Sequence, residues 1–215
     1  FPYYKAHRKK AREDSGHDWT KIFECLNKVR DELKVNSPYK VIDVDGAEAD
    51  DIIGVLTRKY SPTQKVMILS SDKDFVQLHT SDNVAQYSPT LKKAIKTKDA
   101  GRQLKELIIT GDRGDGIPNI LSPGDTFVRG VRQKVMTEGR MNTLLNAEYG
   151  DYEDETARIG FSRNQTLIDL RHIPSDIKNS IIDTYNNTKP APRMKLLNYF
   201  MEKKLKNLME VIEDF

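Results

Sequence analysis

Apolar residues recur at spacings of three and four through Trp19, Ile22, Phe23, Leu26, Val29 and Leu33. This stripe predicts an amphipathic helix, capped by Ser15 or Asp18 and ending near Pro38. Trp19 and Cys25 belong to that segment and are expected in the core, Cys25 as a small hydrophobe rather than a nucleophile. Tyr39 to Val44 is short and β-rich and predicts a strand. Ala47 to Tyr60 predicts a helix that buries Ile52, Ile53, Val55 and Leu56, and Lys65 to Leu69 predicts a second strand. A strand–helix–strand alternation implies a parallel sheet, in which sites gather beyond the carboxyl ends of the strands. Val84 to Lys98 reads as two short strands around Ser88-Pro89. From Ala100 the pattern turns helical: Leu104 to Ile109, Phe127 to Leu145, Ile177 to Tyr185, and Leu196 to Ile212. Gly111 to Gly130, rich in Gly, Asp and Pro, reads as a loop system. The expected organisation is α/β, with residues 1–99 as a partial core and 100–215 as a helical region.

Composition narrows the class. The chain of 215 residues is 37% hydrophobic and 31% charged, and no apolar run approaches membrane-spanning length. A single cysteine excludes an internal disulfide framework and fits a reducing cytoplasm. The net charge of +3 is modest, but its distribution is uneven. Lys5, Arg8, Lys9, Lys10 and Arg12 form one basic block, and Lys92, Lys93, Lys96, Lys98, Arg102 and Lys105 form another, whereas the acids gather in short motifs. Separated basic surface and clustered acid suits a metal-dependent enzyme acting on a polyanion; an ordinary solvated surface is the competing interpretation. His7 lies in the first basic block, and His17, His79 and His172 show no metal-ligand spacing.

Three acidic motifs carry the candidate chemistry. Glu48, Asp50 and Asp51 open a helix after a predicted strand, where the helix dipole alone would favour acids. Asp72 and Asp74 flank Lys73 at the end of the Lys65–Leu69 strand. Carboxylates so close repel one another and need positive charge to remain ionised. Asp112 and Asp115 sit in Gly111-Asp112-Arg113-Gly114-Asp115-Gly116-Ile117-Pro118, whose glycines permit close backbone approach to a phosphate. Surface turns would account for either of the last two motifs alone. Seven carboxylates in three motifs exceed that need, and oxygen-only donors suit Mg²⁺ or Mn²⁺ rather than zinc. Two such ions about 3.5–4 Å apart can activate water and hydrolyse a phosphodiester.

The order EADD, SSDKDF, GDRGDGIPN, with the opening FPYYKAHRKKAR, resembles the phage 5′→3′ exonuclease and flap endonuclease family, its T-even ribonuclease H branch in particular, related to the 5′-nuclease domain of DNA polymerase I. Asn198-Tyr199-Phe200 and the ending Ile212 to Phe215 are similar to the phage branch as well. The resemblance implies a PIN-like parallel-sheet core followed by a helix–three-turn–helix DNA-binding element at GDRGDGIPN. It implies that Glu48, Asp50, Asp51, Asp72, Asp74, Asp112 and Asp115 bind two Mg²⁺ or Mn²⁺ ions directly or through water. Lys5 and Arg8 fall on the pair at the base of a helical arch that contacts the scissile phosphate. DNA contacts are implied for Lys9, Lys10, Arg12, Lys73, Arg113, Gly114 and Gly116, with a monovalent cation as a further component of the glycine-rich loop. Asn119 stands where the family commonly has glycine.

The implied activity is structure-specific hydrolysis of RNA primers and 5′ flaps during replication, on DNA and RNA–DNA hybrids with forked ends. A soluble cytoplasmic monomer is expected (in the host cytoplasm if phage-encoded), with a replication clamp or single-strand-binding protein as partner and no membrane association. The chain opens at the arch with Phe1, so two further metal-binding aspartates and a central strand are expected upstream. The 215 residues alone are accordingly expected to be poorly active or inactive. Two alternatives remain open: a non-catalytic DNA-binding fragment and a PIN-domain ribonuclease, the latter disfavoured by the arch-like and glycine-rich segments.

Overall fold

The predicted caps and stripes are realised first as local elements in the computed structural model, which describes residues 1–215 except the side chains of Lys10 and Tyr149. The basic opening forms α1 (Ala6–Asp14). Asp18 accepts from the Lys21 amide and starts α2 (Trp19–Asn36). They are followed by α3 (Ala49–Tyr60), β1 (Val66–Leu69), β2 (Val84–Ser88), β3 (Lys93–Ile95) and α4 (Ala100–Thr110). The helical remainder comprises α5 (Glu138–Asn146), α6 (Glu155–Ile168), α7 (Ser175–Asn187), α8 (Arg193–Glu202) and α9 (Lys206–Met209). The chain divides into two packed units, one formed by Phe1–Gly16 with Ile53–Pro174 and the other by His17–Ile52 with Ser175–Phe215.

In the first unit β1 runs parallel to β2, with Val66 opposite Val84 and Leu69 opposite Tyr87, while β3 is antiparallel to β2. The crossover from β1 to β2 contains a 3₁₀ helix, Lys73–Leu78, not an α-helix. Ile68, Phe75, Leu78 and Val84 close a small core over one face of the sheet. The period-two alternation puts Met67 and Leu69 on the other face, 60% and 70% exposed. A larger core joins α4, α5 and α6 around Ile108, Ile109, Ile117, Ile120, Leu144, Leu145 and Phe161. The second unit has its own cluster of Leu196, Tyr199 and Phe200, covered by Leu205, Met209, Ile212 and Phe215.

Several expectations need correction. Residues 39–44 form no strand, because an extended segment becomes one only by pairing its backbone, and no ladder partner lies beside it among the described residues. The sheet is therefore small and mixed, and its parallel pair comes from β1 and β2. Phe127 to Leu145 is not one helix: Gly130 takes a positive φ, and the segment through Lys134 is held by hydrogen bonds to Asn119 and Ser122. Helix resumes only at Glu138, where Thr137 caps the Arg140 amide.

Leu196 to Ile212 is likewise broken. Lys204 is left-handed, Leu205 donates to the Phe200 carbonyl and Lys204 to that of Met201. Those bonds form a Schellman ending to α8. The helix α6 was absent from the sequence reading. Trp19 is only half-buried and Cys25 is exposed; α2 buries none of its residues. Its clasp on α8 is polar, with Tyr199 Oη and Lys203 Nζ donating to Glu32 at 2.9 and 2.8 Å.

Candidate active site

Asp72 leaves β1 and caps the 3₁₀ helix, accepting from the Asp74 amide at 2.9 Å. The turn is fastened from below by Gln86, whose Nε2 donates to the carbonyls of Ser70 and Asp72 at 2.9 and 2.7 Å. Gln86 sits on the buried face of β2, so sheet register decides where Asp72 and Asp74 stand. Asp112 follows α4 and caps the turn Arg113–Asp115, its Oδ1 accepting from the Asp115 amide. The chain returns antiparallel, Ile117 donating to the Asp112 carbonyl at 2.8 Å.

Lys73 joins these two motifs. Its Nζ lies 2.9 Å from Asp112 Oδ2, whose side chain is 16% exposed. Burial alone would push the Asp112 carboxyl up, but the hydrogen bond and charge of Lys73, with the Gly114 and Asp115 amides, outweigh it and hold it below the usual carboxylate range. Burial likewise disfavours the Lys73 ammonium, yet the hydrogen bond to Asp112 and the charges of Asp112, Asp74 and Asp72 raise it overall. The sequence demanded positive charge among these acids, and Lys73 supplies it.

Asp115 receives the opening segment. Arg8 Nη2 lies 2.6 Å from Asp115 Oδ1, with Lys5 Nζ at 3.9 Å. Tyr4 Oη donates to Oδ2 at 3.3 Å, the Lys5 amide to the Asp115 carbonyl, and Arg8 Nε to the Gly114 carbonyl. Gly116 is left-handed at φ 74, and a Cβ there would come 3.0 Å from the Tyr3 carbonyl oxygen. The glycine therefore permits this close approach as well as the turn. Lys5 and Arg8, distant in sequence from the GDRGDG loop, stand directly on it. Tyr4 was missed because a tyrosine beside basic residues carries no motif of its own.

Glu48, Asp50 and Asp51 belong to the second unit. Asp51 Oδ2 accepts from the Glu48 amide at 2.8 Å, and the Ile52 amide donates to the Glu48 carbonyl, as at a capped helix start. Among the described residues, no three His, Cys, Asp or Glu side chains converge on a metal-sized point. Asp112 and Asp115 are instead paired with Lys73 and with Arg8 and Lys5. The donor chemistry fits a hard divalent ion, since every candidate ligand is a carboxylate.

Of the residues expected at DNA, Lys9 and Arg12 lie on α1 with Arg8; the Lys10 side chain lies outside the described residues. Arg113 and Gly114 are exposed on the 3₁₀ turn. Arg113 also lines a recess of about 310 Å³ with Arg132, Gln133 and Phe127. Arg132 stands in the segment expected to be helical, which the structure leaves irregular. Asn119, where the resemblance implied a glycine, ties the loop together: its Nδ2 donates to the Lys134 carbonyl, and its Oδ1 accepts from the Leu121 amide and Ser122 Oγ.

A family model described as "5'-3' exonuclease, N-terminal resolvase-like domain" matches residues 1–108, and one described as "T4 RNase H, C terminal" matches 102–215. Between them the two models cover the chain, and it belongs to the 5′-3′ exonuclease family. Over 99% of its length it is 39% identical to the ribonuclease H of Enterobacteria phage T4, spanning 72% of that relative. It is 25% identical to the 5′-3′ exonuclease of Aquifex aeolicus (strain VF5), covering 86% of the chain and 69% of that relative. Among solved structures it is similar to the T5 D15 protein co-crystallised with metal ions, at TM-score 0.57 and 18% identity, covering 86% of this chain and 79% of the other. A zinc-bound T5 5′-exonuclease also matches at TM-score 0.57 and 18% identity, covering 88% and 78%. No helix among the described residues is long and apolar enough to cross a membrane.

Proposed function

We propose that the chain is a structure-specific 5′→3′ nuclease of the flap endonuclease type, acting on DNA and RNA–DNA hybrids with forked or 5′-flap ends. The observation that carries the proposal is the docking of Arg8 and Lys5 on Asp115, which sets two cations beside the acidic turn. Asp72, Asp74, Asp112 and Asp115, with Glu48, Asp50 and Asp51, are the ligands proposed for two Mg²⁺ or Mn²⁺ ions. When bound, such ions would lower the pKa of a coordinated water and stabilise the attacking and leaving oxygens. Lys5 and Arg8 then orient the scissile phosphate and offset the charge that develops on it. Lys73 holds the Asp112 carboxyl below the usual carboxylate range before the ions arrive. Lys9, Lys10 and Arg12, with Arg113, Gly114 and Gly116, hold the nucleic acid backbone. In this division of labour residues 1–99 carry the partial nuclease core with its acidic motifs and 100–215 the helix–three-turn–helix and duplex contacts. The proposed setting is a monomer in the host cytoplasm, with a clamp or single-strand-binding protein as partner.

Manganese binding tests the metal assignment. Asp72→Asn combined with Asp74→Asn should abolish Mn²⁺ binding measured by paramagnetic resonance, and retained wild-type binding would refute those ligands. Cleavage of a labelled 5′-flap substrate in Mg²⁺ tests the activity. The ion pairs at Asp112 and Asp115 also support a second reading, a DNA-binding module whose acids are neutralised from within. In that case the double substitution leaves DNA affinity unaltered and there is no Mn²⁺ binding to lose.

A further inference from the structure

The loop after Asp112 gathers backbone carbonyls at Pro118, Asn119 and Ser122, while their residues are buried. Oxygen dipoles converging in a dry site require a positive charge. The resemblance implied a monovalent metal ion for the loop; α6 instead delivers a side chain. Arg163 Nη2 donates to the Pro118 carbonyl at 2.9 Å and the Asn119 carbonyl at 3.3 Å, and Nη1 donates to the Ser122 carbonyl at 3.2 Å. Nε donates to Asn164 Oδ1 at 2.8 Å, and Asn164 Nδ2 donates in turn to the carbonyls of Ile108 and Pro118. No carboxylate pairs with Arg163 among the described residues, and burial lowers its pKa. Its counter-charge is the carbonyl cluster itself. The Phe1 ring lies 5.8 Å from the guanidinium carbon, and Gly160 lets α6 approach so closely that a Cβ there would collide with the Ile120 carbonyl.

A potassium or sodium ion on the same carbonyls would have to share them with a fixed guanidinium, and the like charges would repel. The three carbonyls do not fit the metal ion while Arg163 is in place. We infer that the Arg163 guanidinium is the built-in cation of this loop, a positioning residue that holds the Pro118–Ser122 backbone in place of a monovalent metal ion. The planar guanidinium suits the task, because its rigid fork offers several donors where a metal ion would need a cage of oxygens.

Two measurements test the inference, and only the second rests on the proposed DNA-binding role of the loop. Thallium(I), a potassium surrogate, is soaked into crystals of the protein. No anomalous peak should appear at the Pro118, Asn119 and Ser122 carbonyls, and a peak there would overturn the inference. Affinity for a forked duplex is then compared in potassium, sodium and choline chloride at equal ionic strength, and should agree within about twofold. A tenfold advantage specific to potassium would overturn the inference. Arg163→Met should weaken DNA binding by roughly tenfold, with recovery on adding free guanidinium ion, and Arg163→Lys should lie between. A folded Arg163→Met protein with unchanged affinity and no thallium peak in the wild type would remove the DNA-binding role while leaving the cation assignment standing. If Arg163→Met does not fold, the wild-type thallium and salt comparisons still decide.

Discussion

Lys73 Nζ stands 2.9 Å from Asp112 Oδ2 and so ties the acidic motif after β1 to the one after α4. The Asp112 carboxyl is held below its usual range, so its stabilisation is present above the unfolded value and is lost as pH falls through the lower folded value. Lys73 is shifted upward, so its part is present below the unfolded lysine value and is lost as pH rises through the higher folded value. Lys73→Met should therefore cost about 0.5–1 kcal/mol near neutral pH, kept small by solvent around the largely exposed lysine. Urea unfolding should show the difference constant from about pH 5 to pH 9 and vanishing in acid as Asp112 protonates. A difference that persists at low pH would mean that Lys73 acts through packing.

Lys5 is placed beside Asp115 with Arg8, where it can act on a phosphate's developing charge. Lys5→Ala is expected to lower the single-turnover cleavage rate by about 10²-fold while changing substrate affinity far less. Lost affinity with an unchanged rate would make Lys5 an anchor instead.

Gly160 permits α6 to rest against the Ile120 carbonyl, with backbone rather than a flexible side chain in the way. Gly160→Ala should destabilise the protein by about 1–3 kcal/mol through forced separation of α6 from the loop. Denaturant midpoints measure this, and an unchanged midpoint would show that the contact can relax freely.

Tyr152 is buried, donates to the Leu144 carbonyl at 2.9 Å, and is pushed up to about 12 by burial, with a smaller contribution from Glu148. Because the folded value is raised, its stabilisation is full below the unfolded value near 10 and is lost as pH rises toward 12. Ultraviolet titration of the folded protein should show a late phenol that disappears in Tyr152→Phe, while Tyr199, also raised by burial and by its hydrogen bond to Glu32, remains. That substitution should cost about 1 kcal/mol at neutral pH for the lost hydrogen bond.

Local chemistry was the legible part. The Asp18 cap, the helices α3 and α7 and the strand β1 are encoded within a few residues, so spacing alone located them, although of the four α3 residues expected to be buried only Val55 is, with Ile52, Ile53 and Leu56 half-buried. The same reasoning failed where distant contacts or a special backbone decide. Residues 39–44 have strand composition but no ladder partner among the described residues, Lys204 breaks an apolar helical pattern by turning left-handed, and α2 has a stripe of which no residue is fully buried. Arg163 was invisible because three of its acceptors are backbone carbonyls, which leave no mark on sequence.

The sequence by itself determined the three acidic motifs, the basic opening and the family they resemble, since these are choices of side chain at short spacing. Tertiary structure decided which charges meet. Lys73 goes to Asp112, Arg8 and Lys5 go to Asp115, and Arg163 goes to the carbonyls of the loop. The physical reason is that ion pairs and dipole clusters depend on distance in space, and only the packing of α4 and α6 and the docking of the opening segment bring those groups within reach.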